Sequence, residues 1–333
     1  GGNPVSLTLA GSTNNSAAFQ AAIPWAEQIK QNTDPTITIS VQSTGGLDAN
    51  VRGVAGDQFD MGSTTTPNFQ AAAIGVRPFQ NEFSGLRPLF TNQLYPFPIA
   101  LTTTETGIDY MEDLAGNVVS TGPPGSAAHT YFEIYNAVNQ IDQESMEIRR
   151  LQASDAYRQL GEGQIDAVVT GSVNTVLGPT TSEFITRNDN AKLAVPRDQS
   201  RTERLQRGGE ILELGYTEGG IMFEYPLDTF EHAHENSAVA DQDTYTTVAG
   251  TNTLFATADM SNEVANKIVT QTLENSAALA DATGLWAGFH NRPEFYASAL
   301  PVADSEAQPW HPGAAEALRE AGYWNEDLVV AEE

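Results

Sequence analysis

Small polar residues that can hold a carboxylate follow directly after several predicted strands of this chain. Hydroxyl, carboxamide and backbone N–H groups at such positions offer hydrogen-bond donors to an anionic or amino-acid head group. In open α/β sheets ligands bind at the carboxyl ends of the strands, and these residues fall there. The candidate ligand-binding residues are Ser12, Thr13, Asn15, Thr44, Gly45, Thr64, Thr65, Gly125, Ser126, Ala127, Gly171, Ser172 and Asn174.

The segment Gly122–Ser126 stands immediately before a predicted helix. Free backbone N–H groups and the positive end of the helix dipole would form a carboxylate site there, and the Ser126 hydroxyl would add a donor. The alternative is that Ser126 only caps its helix. For the loops at Thr44 and Thr64 the alternative is ordinary turn chemistry.

Four larger side chains are further candidates. Arg52 could clamp a carboxylate, but on a helix its better partner is Asp48, four residues earlier. Arg87 could act in the same way. Tyr95 and Phe97 could wall a pocket, and packing in the core explains them equally well.

Metal and catalytic chemistry have little support. The segment Glu231–Glu235 places His232 and His234 two residues apart, as a metal site would need on a strand, but a solvated loop is the better interpretation of this acidic stretch, and nearby Asp228 does not change that. The strand-end loops hold no His and no Asp/Glu pair, and no hydrolase or nucleotide motif occurs. We therefore expect no metal, no cofactor and no catalytic residue. His311 is expected to pack against or cap the last helix.

The first part of the chain predicts alternating strands and helices. The first helix should bury a stripe formed by Phe19, Ile23, Ala26 and Ile29, and Pro24 should kink it. A second helix should bury Leu47, Val51 and Val54. The strands are predicted over 5–10, 36–41, 59–62, 86–90 and 98–103.

The second part repeats the pattern. Helices are predicted over 127–138, from a cap at Ser154, and over 261–279, where the buried side should carry Val264, Ile268, Leu273 and Ala277. Residues 196–247 are polar and acidic and predict no clear element. Further strands are predicted over 116–122, 148–151, 165–169, 192–195 and 247–257.

Acidic residues dominate the charge of the chain. There are 16 Lys and Arg against 43 Asp and Glu, which gives a net charge of −27. Such a chain repels nucleic acid and anionic lipid, so neither is expected as a partner. Attraction of a cationic ligand is one interpretation. Adaptation to high salt is the better one, because the acids are spread along the whole chain and the Debye length falls to about 3 Å at 1 M salt.

Several bulk properties bound the remaining classes. The 333 residues suffice for two lobes, at roughly 100–200 residues per domain. There is no cysteine, which excludes disulfides and thiol chemistry. No apolar stretch is long enough to span a membrane. The chain begins Gly1-Gly2-Asn3-Pro4, and we expect any secretion signal to have been removed or left out.

Ordered loop motifs give the chain its resemblance to a family. The blocks lie at 7–16, 41–52, 56–62, 107–126, 160–169 and 310–322. The T-G-G loop at 44–46 and the terminal H-P-G-A at 311–314 are the most specific of them. On these residues the chain resembles the TAXI family of TRAP-transporter solute receptors. It departs from the family in its first loop, where Thr13-Asn14-Asn15 replaces T-G-G and Ala17-Ala18-Phe19 replaces paired tyrosines.

The resemblance implies an α/β, two-lobed periplasmic binding protein-like clamshell of type II with two crossing hinge strands. Lobe I would comprise residues 1–100 and 251–333, and lobe II residues 101–250 would be inserted. It implies a monomeric extracytoplasmic receptor that binds glutamate, glutamine or a related 2-oxo or dicarboxylic acid in the interlobe cleft and delivers it to membrane permease subunits. Because the first loop is altered, the identity of the ligand stays open. The way in which the receptor is anchored stays open too. An ABC-type binding protein, or an enzyme on the same scaffold, is the alternative.

Overall fold

The computed structural model describes residues 3–14, 16–76, 78–124, 127–139, 141–173, 176–177, 179–197, 222–226, 244–300 and 302–332. The chain forms two units: unit 1 comprises Gly1–Leu94 with Gly250–Glu333, and unit 2 comprises Tyr95–Ala249. Strands and helices alternate in both, so the predicted α/β class is confirmed. No helix in the described ranges has the length and apolar character needed to cross a bilayer.

Unit 1 is built on strands from both ends of the chain. Its strands are β1 (Val5–Ala10), β2 (Ile37–Gln42), β3 (Met61–Thr64), β4 (Leu86–Phe97) and β13 (Thr244–Thr257), of which the last two run across the unit boundary. Its helices are α1 (Ala17–Asn32), α2 (Leu47–Ala55), α3 (Thr66–Ile74), α7 (Asn262–Glu274), α8 (Ser276–Ala282), α9 (Ala287–Asn291), α10 (Pro293–Tyr296), α11 (Val302–Ala307) and α12 (Pro312–Glu320).

The sheet of unit 1 has β2, β1, β3 and β13 side by side in that order, and β4 also pairs with β13. β1 is parallel to both β2 and β3, whereas β13 is antiparallel to β3. Thr64 pairs with Thr253 and Ser63 with Leu254. The third strand therefore extends past the predicted 59–62, and Ser63 and Thr64 are strand residues rather than loop residues.

Helix α1 corrects the predicted stripe. Ile23 is 49% exposed, and the buried side instead carries Ala18, Ala21, Ala22, Trp25, Ala26 and Ile29. Trp25 sets this orientation because its indole Nε1 donates to Thr272 Oγ1 at 2.8 Å. Pro24 lies inside the helix without ending it.

Aromatic rings form the centre of unit 1. The Phe90 ring lies 5.9 Å from that of Trp25, 6.3 Å from that of Trp286 and 6.0 Å from that of Phe289, between ring centroids. These side chains are fully buried, and the Trp286 indole N–H donates to Ala21 O at 3.0 Å. This cluster holds α1 and α9 against the sheet.

The predicted long helix 261–279 is two helices. The chain breaks at Asn275, the C-cap of α7 and the N-cap of α8. The buried side of α7 carries Ala265, Ile268, Val269 and Thr272, while Ala277 on α8 is exposed. The burial of Ile268 was predicted correctly. The other buried residues lie on a different side of the helix from the predicted stripe, because Thr272 faces Trp25.

The terminal H-P-G-A motif is structural in this fold. His311 is the N-cap of α12, where its Nδ1 accepts from Gly313 N at 3.2 Å and its Nε2 contacts Met260 O at 2.8 Å. A Cβ on Gly313 would lie 2.1 Å from Asn262 O, so only glycine permits this approach of α12 to α7. Burial lowers the pKa of His311. The expected capping role is confirmed.

Unit 2 has a second mixed sheet and shorter elements. Its strands are β5 (Ile99–Thr103), β6 (Val118–Ser120), β7 (Glu147–Arg149), β8 (Ala167–Thr170), β9 (Ser172–Val173), β10 (Val176–Leu177), β11 (Ala191–Ala194) and β12 (Met222–Pro226). Its helices are α4 (Ala127–Asn139), α5 (Ala153–Gly161) and α6 (Pro179–Arg187). The N-cap of α5 is Gln152 and not the predicted Ser154.

The sheet of unit 2 runs β11, β5, β8, β6, β7. β6 is parallel to β7 and to β8, and β5 is antiparallel to β8 and β11. The core against it includes Phe132 and Tyr135 from α4 together with Met111, Leu114 and Val119. Most of residues 196–247 lie outside the described residues. In this stretch β12 pairs with the first part of β13.

Asp304 on α11 has a fully buried carboxyl group. Neither of its oxygens has a hydrogen-bond partner among the described residues, and the same holds for the buried carboxamide of Gln70 on α3. Burial raises the pKa of Asp304 well above its usual range, and the nearby Gln70 side chain offsets only part of this. A protonated carboxyl and a carboxamide can each donate to the other, which a carboxylate cannot do. The folded state therefore favours neutral Asp304.

This burial makes stability depend on pH. Above about pH 4 the unfolded chain releases the Asp304 proton while the folded chain keeps it, so the free energy of unfolding should fall by about 1.4 kcal/mol per pH unit until the raised pKa is passed. Asp304→Asn should remove this contribution. Urea unfolding of both proteins across that range measures the difference. Exposed Asp281→Asn is the control, and parallel curves for wild type and Asp304→Asn would contradict the assignment.

Candidate functional site

Three predicted ligand loops of unit 1 lie at one edge of its sheet. Because β1, β2 and β3 are parallel, their carboxyl ends share that edge. The loop after β1 contacts the loop after β2 directly, since Thr44 N donates to Ser12 O at 2.9 Å. Thr65 follows β3 and is the N-cap of α3.

A buried carboxamide joins the three strand ends. Asn50 on α2 is 0% exposed, and its Oδ1 accepts from Ser12 N at 3.3 Å and from the Thr44 hydroxyl. Its Nδ2 donates to Ser63 O at 2.8 Å. Asn50 thus links the loop after β1, the loop after β2 and a residue of β3. Sequence reasoning missed this role, although Asn50 belongs to the 41–52 block.

Two residues in these loops have unusual backbone conformations. Ser12 has φ 77°, a left-handed conformation that is costly for a residue with a side chain, and it is buried. Gly46, the N-cap of α2, has φ 142°, which only glycine adopts readily. The second glycine of the T-G-G motif is therefore required by the backbone. The strain at Ser12 is the local signature expected of a binding loop.

Hydroxyls at two predicted positions are used by the fold. The Thr44 hydroxyl contacts Asn50 Oδ1, and the Thr64 hydroxyl donates to Leu47 O at 3.3 Å while accepting from Asn68 Nδ2 at 3.0 Å. Thr64 is also 0% exposed. Ligand donation by Thr44 or Thr64 stays a prediction that would require these bonds to break.

Other predicted donors in unit 1 are uncommitted. Within the described part of the chain the hydroxyls of Ser12 and Thr65 make no hydrogen bond, and the cap of α3 uses no side chain. Thr13 and Gly45 are exposed. Asn15 lies outside the described residues. Free donors for a ligand are thus concentrated at Ser12, Thr13, Gly45 and Thr65.

Four buried threonines connect the start of α3 to strands of the unit 1 sheet. Thr66 Oγ1 lies 2.7 Å from Thr251 Oγ1, which lies 3.1 Å from Thr253 Oγ1, and Thr253 in turn lies 2.8 Å from Thr91 Oγ1. All four are fully buried. This chain of hydroxyls ties α3 to β13 and β4 and holds Thr65 in a fixed position.

In unit 2 a histidine stands at a strand end. Thr121, directly after β6, is fully buried, and its Oγ1 lies 2.9 Å from Nδ1 of His129 on α4. His129 Nε2 lies 3.2 Å from Glu133 Oε1. The loop after β6 itself contains no histidine, as expected, but His129 of α4 reaches the strand end through its side chain. The eight-residue separation of Thr121 and His129 across a loop hid the contact from the sequence.

Arg150 holds the loop that follows β6. Its Nε donates to Gly122 O at 2.9 Å and its Nη2 to Pro123 O at 2.8 Å. Arg150 follows β7, which is parallel to β6, so both lie at the carboxyl edge of this sheet. The sequence missed this residue because strand 148–151 was predicted to run through it.

The remaining candidates of unit 2 are only partly described. Ala127 begins α4, Gly171 is half-buried after β8, and Ser172 begins β9. Gly125, Ser126 and Asn174 lie outside the described residues. All of these stay predictions.

The larger side chains lie in structural settings. Arg52 pairs with Asp48 at 2.9 Å, as its helical spacing predicts, and stacks 5.4 Å from the centre of the Phe79 ring. Arg87 is half-buried, donates to Leu86 O at 3.3 Å, and has its pKa lowered by burial. Burial raises the pKa of Tyr95. The side chain of Phe97 lies outside the described part.

Metal binding finds no support in the described ranges, which contain no group of three His, Asp or Glu side chains able to hold an ion. Asp228, His232 and His234 lie outside them.

Comparisons with known proteins agree with this architecture. The sequence model of the NMT1-like family matches residues 19–211, more than half of the chain. No curated protein sequence matches the chain.

Solved structures with similar folds include two binding proteins. A TctC solute binding protein from Polaromonas superposes with a TM-score of 0.55 at 10% identity. The match covers 87% of this chain and 88% of the Polaromonas chain. The periplasmic aliphatic sulphonate binding protein SsuA from Escherichia coli gives 0.49 at 14% identity, covering 99% and 95%. The predicted periplasmic binding protein-like fold is confirmed.

Asn50→Ala tests the carboxamide that joins the strand ends. It removes the buried hydrogen bonds that Asn50 makes with the Ser12 N–H, the Thr44 hydroxyl and the Ser63 carbonyl, at about 1 kcal/mol for each, so the free energy of unfolding should fall by about 3 kcal/mol. Denaturant unfolding measures the change. Asn32→Ala removes only exposed hydrogen bonds and should cost less than about 0.5 kcal/mol. Equal losses in the two variants would show that Asn50 does not hold the strand ends together.

Proposed function

The chain belongs to the NMT1-like family, and from that premise we propose that it is the extracytoplasmic solute-binding subunit of an uptake system. It traps a small molecule without a covalent step and delivers it to membrane permease subunits. The single observation that carries this is the edge of the unit 1 sheet, where Asn50 fixes three strand ends and the hydroxyls of Ser12 and Thr65 make no hydrogen bond to the described residues.

The ligand that best fits these donors is a small carboxylate. Hydroxyl and backbone N–H groups donate to both oxygens of a carboxylate, and such charge-assisted bonds are stronger than neutral ones. Glutamate, glutamine, and 2-oxo or dicarboxylic acids are the members of this class that the TAXI resemblance favours. The changed first loop, Thr13-Asn14-Asn15, leaves the choice among them to measurement.

The membrane partner proposed is a TRAP permease, on the strength of the T-G-G and H-P-G-A motifs. Within the H-P-G-A motif, His311 and Gly313 have structural roles. The motif is therefore evidence of a fold shared with the TAXI family more than of a shared ligand. An ABC-type receptor of the same fold is the second candidate. A neighbouring gene for a large multi-span TRAP permease would separate the two.

An enzyme on this fold would need a reactive group that substrate can reach. Thr121, His129 and Glu133 have the order of a hydroxyl–imidazole–carboxylate triad, with contacts of 2.9 Å and 3.2 Å. The Thr121 hydroxyl belongs to a side chain with no exposed surface, so it cannot attack a bound substrate. This burial supports a non-enzymatic function.

The acidic composition supports a high-salt environment. With a net charge of −27 the chain repels itself in dilute buffer, and molar salt screens that repulsion within about 3 Å. Binding experiments therefore belong in high salt, where the folded state is best supported.

A thermal-shift panel in high salt tests the proposed function. The panel contains amino acids, 2-oxo acids, dicarboxylates, sugars and polyamines. A ligand present at 100 times its dissociation constant should add about 2.7 kcal/mol to the free energy of unfolding, because it binds only the folded chain. Carboxylates are expected to raise the melting temperature. A shift from sugars or polyamines alone would contradict the carboxylate, and no shift from any solute would contradict the receptor.

Thr65→Val tests the free hydroxyl at the start of α3. The Thr65 hydroxyl makes no hydrogen bond within the described chain, so its loss should leave stability unchanged while weakening carboxylate binding about tenfold. Thr64→Val is the matched control: its hydroxyl bonds Leu47 and Asn68, so stability should fall by about 1 kcal/mol. Calorimetric titration and thermal unfolding separate the two effects. Unchanged affinity in Thr65→Val would remove Thr65 from the site.

A further inference from the structure

Most cations of the described chain are paired with carboxylates. Acidic side chains outnumber basic ones 43 to 16, so each cation has several acids with which it could pair. The cations in such ion pairs are Arg52, Arg149, Arg158, Arg187, Lys192, Arg197, Lys267 and Arg319. A cation without an acid partner is therefore in the minority among the described residues.

Arg150 is such a cation. Its two hydrogen bonds go to the Gly122 and Pro123 carbonyls, and no carboxylate pairs with it in the described ranges. It is half-buried. An arginine has five N–H donors, so three make no hydrogen bond to the residues that the structure describes. The carbonyls fix the guanidinium in place without neutralising its charge.

Three other described cations also lack an acid, and their settings differ. Lys30 is exposed, and Arg292 lies 5.0 Å from the centre of the Phe295 ring. Arg87 stands at the second position of β4, near the start of that strand. Arg150 alone of the four stands at the carboxyl end of parallel strands, the edge at which α/β sheets bind ligands.

The residue before Arg150, Arg149, has a different set of partners. Arg149 ends β7 and pairs with Glu147 at 2.9 Å, and it also donates to Gln159 Oε1 and Gln164 O. Arg149 is therefore committed to the fold. Of these two adjacent arginines, only Arg150 has no carboxylate partner among the residues that the structure describes.

We propose that Arg150 binds the anionic group of the transported solute and makes unit 2 selective for anions. This rests on the receptor function proposed above and names the residue that determines its ligand class. The planar guanidinium matches the paired oxygens of a carboxylate, and a sulfonate presents the same oxygens. The two hydrogen bonds to carbonyls hold the guanidinium in one orientation before a ligand binds. The ligand can therefore make a charged, bidentate contact without the entropy cost of ordering a mobile side chain.

Calorimetric titration of four proteins in high salt tests this: the wild type, Arg150→Gln, Arg150→Lys and Arg149→Gln. The probes are succinate, glutamate and methanesulfonate, with succinamide as the uncharged counterpart of succinate. Arg150→Gln should weaken binding of the charged probes about 10- to 100-fold. The affinity of Arg150→Lys for these probes should lie between those of Arg150→Gln and the wild type. Arg149→Gln should bind as the wild type does.

The charged and uncharged probes separate ligand contact from loop support. If Arg150 only held the Gly122–Pro123 loop, Arg150→Gln would weaken succinate and succinamide by the same factor, and the proposal would be wrong. Equal affinity of wild type and Arg150→Gln for an anion would also overturn it while leaving the receptor function standing. Binding of uncharged or cationic solutes alone by the wild type would overturn the anion selectivity. A wild type that binds no solute of the whole thermal-shift panel would instead refute the receptor function.

Discussion

Parallel strands that end at a common edge leave backbone polar groups there without a ladder partner, and the candidate site depends on how unit 1 satisfies them. One buried carboxamide, that of Asn50, serves three strand ends at once. Since a buried amide without its partners is costly, the loops after β1 and β2 and the end of β3 are bound to a common position. The strained Ser12 and the glycine-only conformation of Gly46 follow from the same requirement.

The site can be understood as a division of donors. The hydroxyls of Thr44, Thr64 and Thr66 make hydrogen bonds within the fold, whereas those of Ser12 and Thr65 make none to the described residues. Unit 2 shows the same division in its paired arginines. A preorganised set of committed donors around a few free ones binds a small solute without much loss of side-chain entropy.

The sequence predicted the loops after β1 and β2 well because alternating apolar residues and glycine-rich turns are local signals, whereas the loop after β3 begins later than predicted. The strands 5–10 and 36–41 and the pairing of Arg52 with Asp48 needed no tertiary information. The buried faces of α1 and α7 were rotated, because the contact between Trp25 and Thr272 joins residues far apart in the chain. Asn50, His129 and Arg150 were missed for the same reason, since their roles appear only when separate strand ends meet. Asn15, Ser126 and Asn174 stay predictions.

The aromatic core of unit 1 has a spectroscopic consequence. All four tryptophans, at positions 25, 286, 310 and 324, belong to unit 1, while eight of the ten tyrosines belong to unit 2. Indole emission therefore reports on one half of the molecule, and phenol circular dichroism reports mainly on the other. The two signals together show, without any label, whether the halves lose their structure in a single cooperative transition or one after the other.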